Sequence, residues 1–140
     1  DVSDVNIEKL ISDYGAEMPW IVYAGAFDLS RLPLTKIEQK IIDDVPQTIL
    51  KTDFELYKAF ENARIETVLL YALKDEMGAR HYLDDLRQIK ISVTGKDLQE
   101  IGIKPSPKYQ EIFDEILKAK LKNPNMIYKD ELNIITNLSF

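Results

Sequence analysis

Residues 82–123, YLDDLRQIKISVTGKDLQEIGIKPSPKYQEIFDEILKAKLKN, decide the fold class and carry what functional signal the chain has. In the last part of this stretch Tyr109, Ile112, Phe113, Ile116 and Leu117 recur at i, i+3, i+4, i+7 and i+8, a helical stripe without a defect. Asp114 and Lys118 are ordered for an i,i+4 pair on the solvent side, worth about 0.3–0.5 kcal/mol. The helix must stop at Asn123-Pro124, because proline cannot continue it. Upstream, the stretch reads as a long helix, a break at Thr94-Gly95, one helical turn from Lys96 to Glu100, and a hinge from Gly102 to Pro107.

The same period extends outward in both directions. Val5, Ile7, Leu10, Ile11 and Tyr14 mark a first helix ending at Gly15, and Pro19 suits the first position of the apolar helix WIVYAGAFDL. After a turn at Leu32-Pro33, Thr35 with Glu38 gives the capping-box spacing before the stripe Ile37, Ile41, Ile42, Val45, which ends or kinks near Pro46. Thr52 or Asp53 caps a helix bearing Phe54, Tyr57 and Phe60, and Ile65, Val68, Leu69 and Ala72 mark the next. A longer one is expected from Asp75 to about Lys90 through Met77, Tyr82, Leu83, Leu86 and Ile89, and a short one from Lys129 to about Leu138. Ile91-Ser92-Val93-Thr94 is too short a strand candidate to carry a sheet. The expected fold is all-α, an irregular bundle of about eight or nine short helices, with a body-like subdomain over 1–90 and a tail-like one over 91–140.

The 140 residues are enough for one domain or two small helical subdomains. A 45% hydrophobic and 30% charged composition is that of a folded chain rather than a disordered one. No apolar run approaches the roughly 20 residues that cross a bilayer. The absence of cysteine excludes disulfides and thiolate chemistry. A cytoplasmic protein is expected, and the opening at Asp1 in helical sequence suggests a piece of a longer one. A net charge of −6 disfavours nucleic acid, but it is unevenly spread. From Arg87 to Lys122 eight basic residues oppose five acidic ones, net +3, leaving −9 for the rest.

Few residues offer chemistry. His81 is the chain's single histidine, flanked by Arg80 and Tyr82, and reads as part of a helix surface. Asp43-Asp44 and Asp84-Asp85 are neighbours on helices, so their carboxylates diverge by about 100°, are poor templates for a two-metal site and read as solvated faces. The glycines stand singly, which excludes a phosphate loop, and Trp20 reads as core. The hinge Gly102-Ile103-Lys104-Pro105-Ser106-Pro107-Lys108 is different. Ser106 suits a helix N-cap and Pro107 the first helical position. Free N–H groups behind them, with Lys104 and Lys108 alongside and Lys96 at the preceding helix start, would suit a backbone phosphate. On these residues alone the plainer account is better supported: Ser106 and Pro107 cap the helix, and the lysines keep it soluble.

Thr94-Gly95-Lys96-Asp97-Leu98, then Gly102-Ile103-Lys104-Pro105-Ser106-Pro107, then Ile116-Leu117-Lys118-Ala119-Lys120-Leu121 together resemble the C-terminal tail of the tRNA nucleotidyltransferase / poly(A) polymerase family, the CCA-adding and A-adding enzymes. Asn123 stands where that family commonly has glycine. YALKDEMGARHYLDDLRQIK is similar to the family's linking helix and LTKIEQKIIDDV to its helical body. The resemblance implies a cytoplasmic transferase of tRNA processing, whose catalysis and two Mg²⁺ reside in an N-terminal head followed by a nucleotide-selecting neck. This chain has no Gly-Ser step and no D-x-D strand of such a head. It is therefore expected to be non-catalytic, without cofactor or metal of its own, and to hold tRNA or another RNA for the head and neck of its parent. Lys96, Lys104, Ser106 and Lys108 match the tail's hinge and are the expected phosphate contacts; Arg87 and Lys90 on the linking helix are second choices. The competing expectation is a helical protein-interaction module, with a possible homodimer and no RNA affinity. An independent helical hydrolase would need a histidine–carboxylate cluster that the sequence does not assemble.

Overall fold

The computed structural model describes residues 7–26 and 34–138. Among them the chain is all-helical: α1 Ile7–Tyr14, α2 Pro19–Ala26, α3 Lys36–Asp43, α4 Asp53–Phe60, α5 Ile65–Tyr71, α6 Glu76–His81, α7 Gly95–Ile101, α8 Lys108–Lys122 and α9 Tyr128–Asn137. A π-helical turn, Tyr82–Leu86, follows α6 directly. Val5 and the turn at Leu32-Pro33 lie outside the described residues. No described helix is long and apolar enough to cross a membrane. The chain divides into two compact units, Asp1–Arg87 and Gln88–Phe140; the sequence reading placed its division between residues 90 and 91.

The first unit is built around α5, whose residues Glu66 to Tyr71 are all buried. Leu10 of α1, Ile21 and Val22 of α2, Ile41 of α3 and Phe60 of α4 are among the side chains buried with it. A Cβ at Gly25 would lie 2.6 Å from Leu70 Cδ2, so at this spacing of α2 and α5 a larger residue there would require the Leu70 side chain to shift. The local signals act as their chemistry requires. Thr35 and Glu38 form the capping box of α3, and Thr52 Oγ1 accepts the Glu55 N–H at the start of α4. Buried Thr67 donates its hydroxyl to the Ile41 carbonyl, 2.8 Å away. Buried Tyr71 accepts the Leu50 N–H and donates to Asp75, and burial pushes its phenol up to about 12.

Three expectations for this unit are corrected. The helix expected from Asp75 to about Lys90 is capped by Asp75 but gives way at Tyr82 to a wider turn, closed by Arg87 N–H on the Tyr82 carbonyl at 2.8 Å. That wider turn still buries Tyr82, Leu83 and Leu86. Met77, placed on the apolar stripe, is 85% exposed. Trp20, read as core, is 44% exposed, because α2 turns Ile21, Val22 and Ala24 inward instead.

The second unit closes Val93, Leu98, Ile112, Ile116 and Ile135 into a core from α7, α8, α9 and the segment before α7. Its centre is polar. Glu131 of α9 is fully buried. One of its carboxylate oxygens accepts Ser92 N–H at 2.8 Å and Val93 N–H at 3.1 Å; the other accepts Lys120 Nζ at 2.9 Å. Lys120 is one of the eight basic residues in the +3 balance from Arg87 to Lys122, but the structure buries it. Asn123 takes φ −137, ψ 83, which any residue can adopt, so a glycine is not required at the end of α8.

Candidate nucleic-acid interface

The hinge of the second unit is fixed from both ends. Thr94 and Asp97 cap α7 reciprocally: Thr94 N–H donates to the Asp97 carboxylate at 2.7 Å, and the Thr94 hydroxyl faces Asp97 N–H. α7 ends in a Schellman arrangement, with Gly102 N–H on the Gln99 carbonyl and Ile103 N–H on that of Leu98. Gly102 has φ +102, which a side chain would strain although the space beside it is open. The Tyr109 hydroxyl then donates to the Ile103 carbonyl at 2.5 Å, strapping the loop to the first turn of α8. Residues 104–108 are left exposed on this braced loop.

The start of α8 differs from the sequence reading. The regular helix begins at Lys108, with Pro107 rather than Ser106 as its flanking residue. The Ser106 hydroxyl nevertheless accepts Lys108 N–H, two residues on, at 3.2 Å, as a capping side chain does. Tyr109 N–H is taken by the Ser106 carbonyl and Gln110 N–H by that of Pro107. The amides that the sequence reading left free for a phosphate are therefore bonded within the chain. At α7, Asp97 holds its own carboxylate over the helix start. The Thr94 amide and the Tyr128 hydroxyl keep it ionised below the usual carboxylate range. An anion here would meet side chains rather than bare helix ends.

Lys96, Lys104, Ser106 and Lys108 all lie exposed in the second unit, as does Lys90; Arg87, also exposed, closes the first unit. Gly95 lies against the Tyr109 ring, which brings the start of α7, with Lys96, beside the first turn of α8, with Lys108. Among the described residues none of these lysines is held in an ion pair. The first unit is different: Lys9, Lys40, Lys58, Arg64 and Arg80 each have a carboxylate partner there. Its net charge is −7 (ten basic, seventeen acidic residues) against +1 for the second (eight and seven).

Sequence reasoning missed one cluster. His81 does not simply face solvent: Nδ1 lies 3.0 Å from Asp85 and Nε2 3.1 Å from Asp53. Both ring nitrogens therefore face a carboxylate. The spacing His81–Asp85 was a visible i,i+4 signal; Asp53, distant in sequence, gave none. Asp84 and Asp85 do diverge, Asp84 accepting the Tyr14 hydroxyl at 2.9 Å. Among the described residues no group of three or more histidine, aspartate or glutamate side chains could hold a metal ion. A cavity of about 200 Å³ between α3 and α5 is lined by Lys40, Asp44, Asn62, Arg64 and Thr67 over Ile37 and Ile41. Lys40 is tied to Asp44 within it, at 2.9 Å.

No family model matches the chain, and no solved structure does. Over 58 residues, 41% of its length, the chain is 38% identical to an A-adding tRNA nucleotidyltransferase from Geobacter sulfurreducens. The match spans 7% of that protein. This is a family-level relation over part of the chain.

Proposed function

We propose that this chain is a non-catalytic RNA-binding part of a tRNA nucleotidyltransferase-like protein. In this reading it grips the RNA backbone through the second unit and positions the 3′ end for nucleotide addition elsewhere in the parent chain. The observation that carries the reading is the braced, exposed hinge whose lysines are in no ion pair among the described residues, in a chain 38% identical over 58 residues to an A-adding tRNA nucleotidyltransferase. Lys96, Lys104 and Lys108 meet phosphates as point charges. The Ser106 hydroxyl, which accepts from Lys108 N–H, keeps its proton to donate to a phosphate oxygen. Such contacts recognise shape and charge, not sequence. Arg87 and Lys90 supplement the grip. Nucleotide transfer and its Mg²⁺ belong to the parent's head, and tRNA is the proposed partner.

Titrating labelled tRNA with the chain at low and moderate salt tests this, beside a Lys104→Ala/Lys108→Ala variant. The expected result is binding that weakens with salt and with the double substitution, whatever the RNA sequence. Salt-independent binding, or binding unchanged in the variant, would refute the hinge as the contact.

A second reading, a protein-interaction or dimerisation module, is favoured by apolar side chains left exposed in the second unit. Ile101 is 46% exposed, Ile127 62% and Tyr128 43%. The Tyr128 hydroxyl bonds Asp97, one helical turn before Ile101. This reading expects a concentration-dependent dimer in sedimentation, lost in Ile101→Ser/Ile127→Ser, and no RNA affinity.

A further inference from the structure

We propose that His81 is a proton-operated staple within the first unit: its imidazolium ties the first residue of α4 to the end of α6 and the turn after it, and loss of the proton releases α4. The proposal is independent of the RNA reading. Its basis is the bridging geometry, with Asp85 Oδ2 3.0 Å from Nδ1 and Asp53 Oδ1 3.1 Å from Nε2, 28 residues away in sequence. A neutral imidazole has one N–H and can donate to one of these carboxylates only, leaving a lone pair aimed at the other. The imidazolium donates to both, and each bond is then charge-assisted.

The surroundings reinforce this. On α4 the remaining charged groups are Glu55 and Lys58, with Lys58 paired at 3.6 Å to Glu61, which follows the helix. On His81's own helix Arg80 is engaged by Glu76 and Asp13, and Asp84 in the next turn accepts the Tyr14 hydroxyl. Beyond it Arg87 is exposed. On α5 Glu66 turns to Met18 N–H and Tyr71 to Asp75. Tyr57 and Tyr82, stacked edge to face beside the staple, both have phenols raised by burial and are neutral near pH 7. Asp53 and Asp85 are thus the carboxylates on the ring itself. Burial lowers the His81 pKa, but the bond to Asp85 and the charge and bond of Asp53 outweigh it and raise it above 6.5. A pKa raised in the folded state means that the proton stabilises the fold. That contribution is complete below the unfolded value of about 6.5 and is lost as pH rises through the folded-state pKa.

Because His81 is the single histidine among these 140 residues, its ring resonances can be followed without ambiguity through an NMR titration of this chain. The midpoint should lie above 6.5, and it should fall by about half a pH unit or more in Asp53→Asn and in Asp85→Asn alike. Protection of the α4 amides, corrected for the intrinsic base-catalysed exchange rate at each pH, should fall several-fold above the midpoint, an effect absent in His81→Gln. A midpoint at or below 6.5 would overturn the proposal. So would a midpoint that moves only in Asp85→Asn, since the contact would then be intrahelical and α4 untied. Should an asparagine variant fail to fold, the wild-type midpoint and the α4 exchange rates still decide.

Discussion

Each unit buries one glutamate, and the two are held by different means. Glu66 in the first unit is 1% exposed, and among the described residues its carboxylate is held by one backbone amide, Met18 N–H at 3.0 Å, just before α2 begins. Glu131 in the second unit is fully buried and takes two backbone amides and an ammonium. Glu66 fastens a helix start onto α5; Glu131 fastens α8, α9 and the segment entering α7 to one another. In the first unit large apolar side chains from five helices share the work of cohesion. In the second, a smaller apolar core is organised around one buried ion pair, which gives a firm base to the hinge that carries the exposed lysines.

The sharpest way to break this contrast is at Lys120. Lys120→Met leaves Glu131 charged in the core without its cation and should destabilise the second unit by about 3–5 kcal/mol, read by denaturant unfolding. Replacing both partners, in Lys120→Met/Glu131→Leu, should not restore stability as it can for simple buried pairs. The Ser92 and Val93 amides would lose their acceptor, at about 1–3 kcal/mol each. Full recovery in the double variant would mean that Glu131 serves only to neutralise the lysine. Next in size, Gly102→Ala forces a side chain into φ +102 and should cost about 1–2 kcal/mol, read as a lower unfolding midpoint. Glu66→Gln keeps an oxygen for Met18 N–H and should cost about 1 kcal/mol or less; a loss as large as that of Lys120→Met would erase the distinction between the two glutamates. Smallest of all, Lys104→Ala/Lys108→Ala should move stability by less than about 0.5 kcal/mol. The same change should reduce the salt dependence of RNA binding by about one counterion per lysine. That separation of binding from stability is what exposed, unpaired lysines on a braced loop entail.

Much of the helical order was legible because each signal was local. The stripe of Ile112, Ile116 and Leu117, the cap pair Thr35–Glu38 and the stop at Gly15 act over four residues or fewer. The π-helical turn was not legible, since Tyr82, Leu83 and Leu86 fill the interior equally well from a regular helix. Lys120 left a trace: it continues the buried series Ile112, Ile116 by four, just as Glu131 precedes buried Ile135 by four. A lysine and a glutamate each in register with a buried stripe are a signal that charge counting overlooks. At the hinge, residue types alone suggested a cap and two lysines, but not that Ser106 and the carbonyls of residues 106 and 107 would consume the helix's own amides. The bridge from His81 to Asp53 depends on tertiary packing and had no local mark.

The central claim, that RNA is held by the second unit's hinge while the acidic first unit serves as scaffold, is tested most directly by amide chemical-shift mapping on addition of tRNA at low salt. The account predicts perturbations concentrated at Lys96 and residues 104–108, fading as salt is raised. Perturbations centred on α1 to α5, or none at saturating RNA, would contradict it.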